Sequence, residues 1–454
     1  MKKHYHLVGI GGIGMGGLAG LLLAKGHKVT GSDAKDSDMV NMLRQQGADI
    51  AVGHNASNVT QPDFVAVSTA IKPDNPEIIS ARAKNIPILR RAELLSQLML
   101  EYKTIAVTGA HGKTTTSSMI LHTLQVNDLS PMGAIGGIVR TLSTNIALGQ
   151  GNYFVAEVDD SDGTHLFFHP DYSVITNMDK EHMDFYRDLD HIAELYEKYL
   201  KQTNEQGMIF ICGDDINLAA VAKSTGRVFR TFGLNNENRM RPEEITIEGL
   251  QSKFDCILAG KSLGRVVLNV PGRHNIINAL ACISVCLEIG LKFADIVKGL
   301  ESFRGVERRF QFLGEKNGVV IYDDYAHHPT EIAATCKVAK TLKANKVKRI
   351  VGVFQPHRYT RLKHLWKEFQ GCFEGCDSLL VTDVYAASEK PIEGVGAELF
   401  VEEMKKNTKI EVIYVNRDKL LESVLSFIRP GDLVLTLGAG DITKLGKELI
   451  HGKL

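Results

Sequence analysis

The 454-residue chain has no surplus of charge: 53 basic residues balance 53 acidic ones. Short of a local patch, that removes the electrostatic grip expected of a nucleic-acid or membrane-surface binder. No run approaches the roughly 20 apolar residues that span a bilayer. The opening segment, Met1-Lys2-Lys3-His4-Tyr5-His6, leads straight into a strand-like stretch and lacks the apolar region of a signal peptide. The seven cysteines form no C-x-x-C pair. Cys282/Cys286 and Cys372/Cys376 are each four apart, a helical repeat, so buried reduced thiols are expected rather than zinc ligands or disulfides. A cytoplasmic setting is the resulting expectation.

What is present is ordinary globular material, 44% hydrophobic and 23% charged. Short apolar runs alternate with helical stretches, the pattern of parallel sheets wrapped by helices. Strand-like runs at Tyr5–Ile10, Val29–Gly31 and Phe64–Ser68 form a first set. A second runs from Thr104–Thr108 through Tyr153–Val158, Tyr172–Thr176 and Met208–Cys212. Lys253–Leu258 and Arg265–Val270 read as a hairpin, so that set is mixed. A third begins at Val319–Tyr322 and includes Ile350–Phe354 and Leu433–Leu437. The expected fold is α/β in three domains: Rossmann-like over 1–98, a phosphate-loop unit with a mixed sheet over 99–312, and Rossmann-like over 313–454.

Gly9-Ile10-Gly11-Gly12-Ile13-Gly14 fits G-x-G-x-x-G between a strand and a helix. Such glycines let backbone approach a diphosphate at a helix N-terminus, and Asp33 follows at a distance suited to a ribose hydroxyl. NAD, FAD or another nucleotide diphosphate would all suit this loop. Thr108-Gly109-Ala110-His111-Gly112-Lys113-Thr114-Thr115-Thr116 is the stronger signal. Its amides can cradle phosphates, Lys113 can neutralise them, and the Thr114 hydroxyl can ligate Mg²⁺. Val107 stands where a full Walker A motif needs glycine. Acids crowd the strand end at Glu157-Val158-Asp159-Asp160-Ser161-Asp162, where hard cations find carboxylate oxygen. A further strand ends in Asn177-Met178-Asp179-Lys180-Glu181-His182-Met183-Asp184, with His182 placed to complete a metal site.

The loop Gly109–Thr115, the acidic strand end at Glu157 and the Asn177…His182 segment, in that order, resemble the Mur ligase family. Pro271-Gly272-Arg273-His274-Asn275, Tyr322-Asp323-Asp324-Tyr325-Ala326-His327-His328-Pro329 and Gln355-Pro356-His357-Arg358-Tyr359-Thr360-Arg361 extend the resemblance over about residues 5 to 445. The last segment and the Gly9–Gly14 loop resemble the branch that adds L-alanine to UDP-N-acetylmuramate, rather than the recycling branch that attaches peptides. The resemblance implies ATP-dependent ligation through an acyl phosphate, releasing ADP and phosphate. It implies phosphate binding by Gly109, Ala110, His111, Gly112, Lys113, Thr114 and Thr115. Thr114, Glu157 and His182 would hold Mg²⁺, and His274, Asn275 and Asn278 the adenine. Arg309 would reach the phosphates and Asp324 the ribose. Lys113, Glu157, His182 and Arg309 are thus the expected catalytic set. Tyr325, His327, His357, Arg358 and Arg361 would form the L-alanine site, and Gly11, Gly12, Ile13, Gly14 and Asp33 the UDP site.

The chain departs from the family pattern at four places. Ala110 stands for threonine, Asp160 for glutamate and Gly17 for serine, and Tyr196 falls where several members carry a carbamylated lysine. No direct role is assigned to Asp160 and no carbamylation is expected. The partners expected are the two small substrates, with no nucleic acid or membrane, for a monomer or weak homodimer. A different ligase, the recycling peptide ligase or a folylpolyglutamate synthetase, is one competing reading, against which His357–Arg361 and the Gly9–Gly14 loop speak. Two more come from other classes: an NAD-dependent oxidoreductase built on Gly9–Gly14, and a nucleotide-binding regulatory module without catalysis. The oxidoreductase leaves Gly109–Thr115 and Arg358–Arg361 unexplained; the module leaves Lys113, Glu157 and His182 unexplained.

Overall fold

The computed structural model describes residues 2–68, 70–183, 185–344 and 347–452; Asp184 lies outside them. Three sheets follow one another along the chain. The first is five-stranded and wholly parallel, in spatial order Asp49–Val52, Lys28–Asp33, His4–Val8, Phe64–Val67 and Ile88–Arg90. Helices such as Ile13–Ala24 and Asp38–Gln45 connect its strands, and the carboxyl ends gather on one edge, where ligands bind in such sheets.

The middle sheet has ten strands. Its parallel centre is Lys103–Thr108, flanked by Tyr153–Glu157 on one side and by Tyr172–Ile175 on the other. Beyond Tyr172–Ile175 come Met208–Cys212 and Phe229–Phe232, then the antiparallel strands Met240–Glu248, Gln251–Leu258 and Lys261–Leu268. The expected hairpin is present, turning at Ala259 and Gly260, both at positive φ. The helices Lys113–Val126 and Arg273–Glu288 pack side by side on this sheet, through apolar side chains and through the polar pairs Thr116–Asn278 and Thr123–Cys282. The third sheet has six strands, in order Gln311–Lys316, Val319–Asp324, Asp432–Leu437, Arg349–Phe354, Ser378–Val381 and Glu411–Tyr414; only the first is antiparallel.

Several strands lay outside the sequence reading, and one explains itself physically. Met132–Val139 carries three glycines, poor strand formers, yet two of them are required by close packing. A Cβ at Gly133 would lie 2.7 Å from Leu121, and one at Gly136 only 2.4 Å from the Glu157 carboxylate. Gly17 has a similar cause: a Cβ there would meet Ile146 at 2.6 Å, where the first unit packs on the second. All seven cysteines are buried and reduced. Among the described residues, no helix is long and apolar enough to cross a membrane.

Candidate active site

Gly109 and Gly112 both lie at positive φ, and each is overlaid by a neighbour that forbids a side chain. A Cβ at Gly109 would fall 2.3 Å from the Thr176 hydroxyl, and one at Gly112 2.7 Å from Asn278 Oδ1. The loop between them is tied to the next strand end. Ala110 N–H donates to the Asn177 carbonyl, and His111 N–H to Asn177 Oδ1 at 2.9 Å. The Thr176 hydroxyl and Asn177 Nδ2 donate to the His111 carbonyl. The loop is therefore braced before any nucleotide arrives, with amides free at the start of the helix Lys113–Val126.

Lys113 lies along this loop. Its ammonium donates to the carbonyls of Gly109 and Ala110 and, at 3.0 Å, to Asp160 Oδ1. Asp160 is in turn held from below: Tyr196 donates its hydroxyl to Oδ2 at 2.6 Å, and Tyr186 donates to the Asp160 carbonyl. Burial would lower the lysine's pKa, but Asp160, Asp159 and Glu157 together raise it, so Lys113 stays cationic. Asp160, given no role from sequence, is the anchor of the ATP-loop lysine. Tyr196 supports that anchor from the helix Leu189–Lys201.

Thr114 donates its hydroxyl to Glu157 Oε1 at 3.0 Å, and Gly136 N–H donates to Oε2 at 2.7 Å. A hydroxyl and a carboxylate at one point are the hard oxygen donors that Mg²⁺ takes, so these two residues fit the expected ion. His182 stands on the neighbouring strand-end loop at φ 55°, lining a cavity with Glu181, Arg358 and Arg361. Beside the phosphate loop, at the start of Arg273–Glu288, lie the residues expected for adenine. Asn278 accepts from the Thr116 hydroxyl at 3.1 Å and donates to Asn275 Oδ1 at 3.3 Å, while His274 is exposed. Thr115 is half-buried on the same helix.

The third unit reaches this loop through a dense polar junction. Arg309 approaches Glu331 at 3.5 Å and lies over the Tyr325 ring at 5.3 Å. His111 bonds Asp179 at 2.9 Å and approaches Glu331 at 3.4 Å, with its ring 4.7 Å from that of His328. Burial alone would lower the pKa of His111, but Asp179 and Glu331 lift it to about 9. His111, Glu181 and His328 do gather within 4.8 Å. At neutral pH, however, His111 is an imidazolium bridging two carboxylates, with no lone pair for a metal. Asp324 accepts from Phe310 N–H and Ala326 N–H, one at each oxygen, so a ribose hydroxyl would share those oxygens. Burial pushes its pKa up to about 6.

Arg361 extends across the junction to Glu181, donating from Nη2 at 2.8 Å and Nε at 3.1 Å. It also donates to His357 Nδ1 at 3.0 Å. His357 stacks on Tyr385, and His327 sits edge-on to it and to Tyr325. Burial is the main cause that lowers His327 to about 4 and His357 to about 3, so both rings are neutral. For Glu181 burial opposes ionisation, but Arg361 and the nearby histidines outweigh it and hold the carboxyl near 2. Arg358 lines the same cavity at φ 69°.

The glycine loop forms a separate cluster on the first sheet. Gly9 and Ile10 donate to the Ser32 carbonyl, and Gly11 N–H donates to Asp33 Oδ2 at 2.8 Å. Asp33 thus fixes the loop as well as facing the ligand edge. Ile13 is exposed there, and a Cβ on Gly14 would touch Arg91, whose guanidinium lies 3.9 Å from Asp159 of the middle unit. The structure therefore draws the expected residues into three groups, round Gly11, Lys113 and Arg361. Of the residues absent from the candidate set, Asp160 and Tyr196 hold Lys113, while Glu181 and Glu331 tie the second group to the third. Their signal in sequence was faint: acids flanking His182, and the pattern His328-Pro329-Thr330-Glu331, which reads as a capping box.

A phosphate loop in a mixed sheet, with basic and imidazole side chains delivered from a second sheet, defines an ATP-dependent ligase. Family models agree along the chain: "Mur ligase family, catalytic domain" over 4–103, "Mur ligase middle domain" over 107–286 and "Mur ligase, glutamate ligase domain" over 308–440. The chain belongs to the Mur ligase family. UDP-N-acetylmuramate–L-alanine ligase of Geotalea daltonii is 44% identical over 450 residues, covering 99% of this chain and 98% of that protein. The crystal structure of UDP-N-acetylmuramate–alanine ligase from Thermotoga maritima superposes with a TM-score of 0.83 at 31% identity, over 99% of this chain and 98% of that one. A murein peptide ligase from Psychrobacter arcticus shares the fold, with a TM-score of 0.72 at 24% identity, covering 99% of this chain and 98% of that one.

Proposed function

We propose that this chain joins L-alanine to UDP-N-acetylmuramate, converting ATP to ADP and phosphate, in peptidoglycan synthesis. The observation that carries the reading is the meeting of Arg361, His357 and His327 from the third sheet with the strand-end loop that braces the ATP loop. The sugar nucleotide lies on the Gly11–Gly14 loop beside Asp33. Gly109–Thr115 cradle the ATP phosphates, with Lys113 and Arg309 supplying positive charge where the γ-phosphoryl group moves to the muramate carboxylate. His274, Asn275 and Asn278 flank the adenine, and Asp324 the ribose. Thr114 and Glu157, with His182, would hold Mg²⁺, which supplies further neutralisation of phosphate charge when bound.

The resulting acyl phosphate is attacked by the L-alanine amine, whose carboxylate is clamped by Arg358 and Arg361. Tyr325, His327 and His357 wall that site, the two imidazoles neutral and open to a proton. The same reading places the protein in the cytoplasm as a monomer or weak homodimer. Its product feeds wall growth and, through it, cell shape and division.

Incubation with ATP, Mg²⁺, UDP-N-acetylmuramate and L-alanine should yield a sugar nucleotide heavier by one alanyl residue, read by mass spectrometry. A product formed with a tripeptide but not with L-alanine would move the protein to the recycling branch.

A further inference from the structure

The Arg361 guanidinium, placed above as a clamp for the amino-acid carboxylate, already holds a carboxylate. Glu181 of the middle unit takes both its Nε and Nη2 hydrogens, and both side chains are nearly buried, at 10% and 7% exposed. The two residues line one cavity with His182, Arg358, Thr360 and Met183. Among the described residues three acids converge here, and two are committed elsewhere. Asp179 accepts from His111 and from the Thr330 hydroxyl, and Glu331 faces His111, His327 and Arg309. Glu181 is the one whose guanidinium partner is a candidate ligand of the amino-acid carboxylate.

L-alanine enters as a zwitterion, with its ammonium and carboxylate one carbon apart. A dry site for it needs one cation and one anion at matching separation, since either charge buried alone is costly. Among the described residues, the walls offer no other anion for the task. His327 donates from Nδ1 to the Tyr325 carbonyl and His357 accepts from Arg361, and both rings are uncharged.

We propose that Glu181 is the ammonium-binding residue of the amino-acid site. On this view the Glu181–Arg361 ion pair is the empty form of a zwitterion trap. L-alanine opens it, its carboxylate going to Arg361 and its ammonium to Glu181. One buried pair becomes two, and no charge is left bare at any stage. The exchange selects α-amino acids over 2-hydroxy acids and simple carboxylic acids of the same shape. This inference rests on the ligase reading above.

The test compares the native protein with Glu181→Gln and Glu181→Asp. In Glu181→Gln the KM for L-alanine should rise about ten- to hundred-fold, the loss of one charged contact, while the KM for ATP and for UDP-N-acetylmuramate stays within about two-fold. Glu181→Asp should recover most of the loss. L-lactate, which replaces the ammonium by a hydroxyl and so leaves a native Glu181 without a cation, should bind Glu181→Gln at least as well as the native protein, read by ligand-observed NMR. An unchanged L-alanine KM overturns the proposal. So does an equal weakening of L-lactate, which would make Glu181 only a brace for Arg361, or a rise in all three KM values, which would make it a structural strut. If the native protein releases no phosphate with L-alanine, it is the ligase reading that fails.

Discussion

Replacing Asp160 by asparagine isolates what holds the ATP-loop lysine. The substitution keeps the shape and removes the charge that receives Lys113 at 3.0 Å. Breaking a buried ion pair by deleting one partner typically costs about 3–5 kcal/mol. Lys113 retains two carbonyl acceptors and the field of Asp159 and Glu157, so the expected loss is about 1–3 kcal/mol. At about 2–4 °C per kcal/mol for a unit of this size, melting without nucleotide should fall by several degrees. ATP supplies its own negative charge to Lys113, so the gap should narrow when ATP is added. By the same thermodynamic cycle, ATP binds the variant no more weakly than the native protein. Turnover should still fall about ten-fold, because the lysine is less fixed where charge develops. Tyr196→Phe, which strips Asp160 Oδ2 of its donor, should act in the same direction, and the two changes should be non-additive. Scanning calorimetry with and without ATP reads the effect. An unchanged melting temperature, or a gap that widens with ATP, would refute the reasoning.

Three further outcomes are expected. Lys113→Ala should remove turnover by at least about 10²-fold in phosphate release, and unchanged turnover would refute its role. Gly136→Ala puts a Cβ 2.4 Å from Glu157 Oε1, so the carboxylate must swing away from Thr114. The Mg²⁺ concentration for half-maximal activity should rise about ten-fold or more, and an unchanged titration would count against Glu157 as a ligand. Glu77 is wholly buried in the first unit; burial would raise its pKa, but hydrogen bonds from His6, Ser32, Asn58 and the Asn55 N–H hold it near 2. A carboxyl depressed on folding stabilises above its ordinary value of 4.5 and loses that stabilisation as pH falls towards about 2. Glu77→Gln should therefore cost on the order of 3 kcal/mol at neutral pH and flatten the denaturation profile across that window. A profile as steep as the native one would contradict this.

The sequence was most informative where chemistry is local. Gly109, Gly112 and Lys113 sit within five residues, and the turn they form needs its glycines for reasons visible in the spacing. The parallel centre of each sheet was legible because it is buried on both faces and reads as unbroken apolar runs. Glycine-bearing Met132–Val139 was not, since its strand exists to make room for Leu121 and Glu157, which are distant in sequence. Arg361 and Glu181 are 180 residues apart, and only the packing of two sheets joins them. Asp160 was visible as one acid among four, but its role depends on Tyr196, a helix later. Gly17 looked like a departure from pattern until Ile146 was seen to occupy the space.

The central claim is tested most directly by phosphate release from ATP with UDP-N-acetylmuramate across a panel of single amino acids and short peptides. The account predicts release that depends on L-alanine and is absent without the sugar nucleotide. Release with a tripeptide alone, or none with any acceptor, would contradict it.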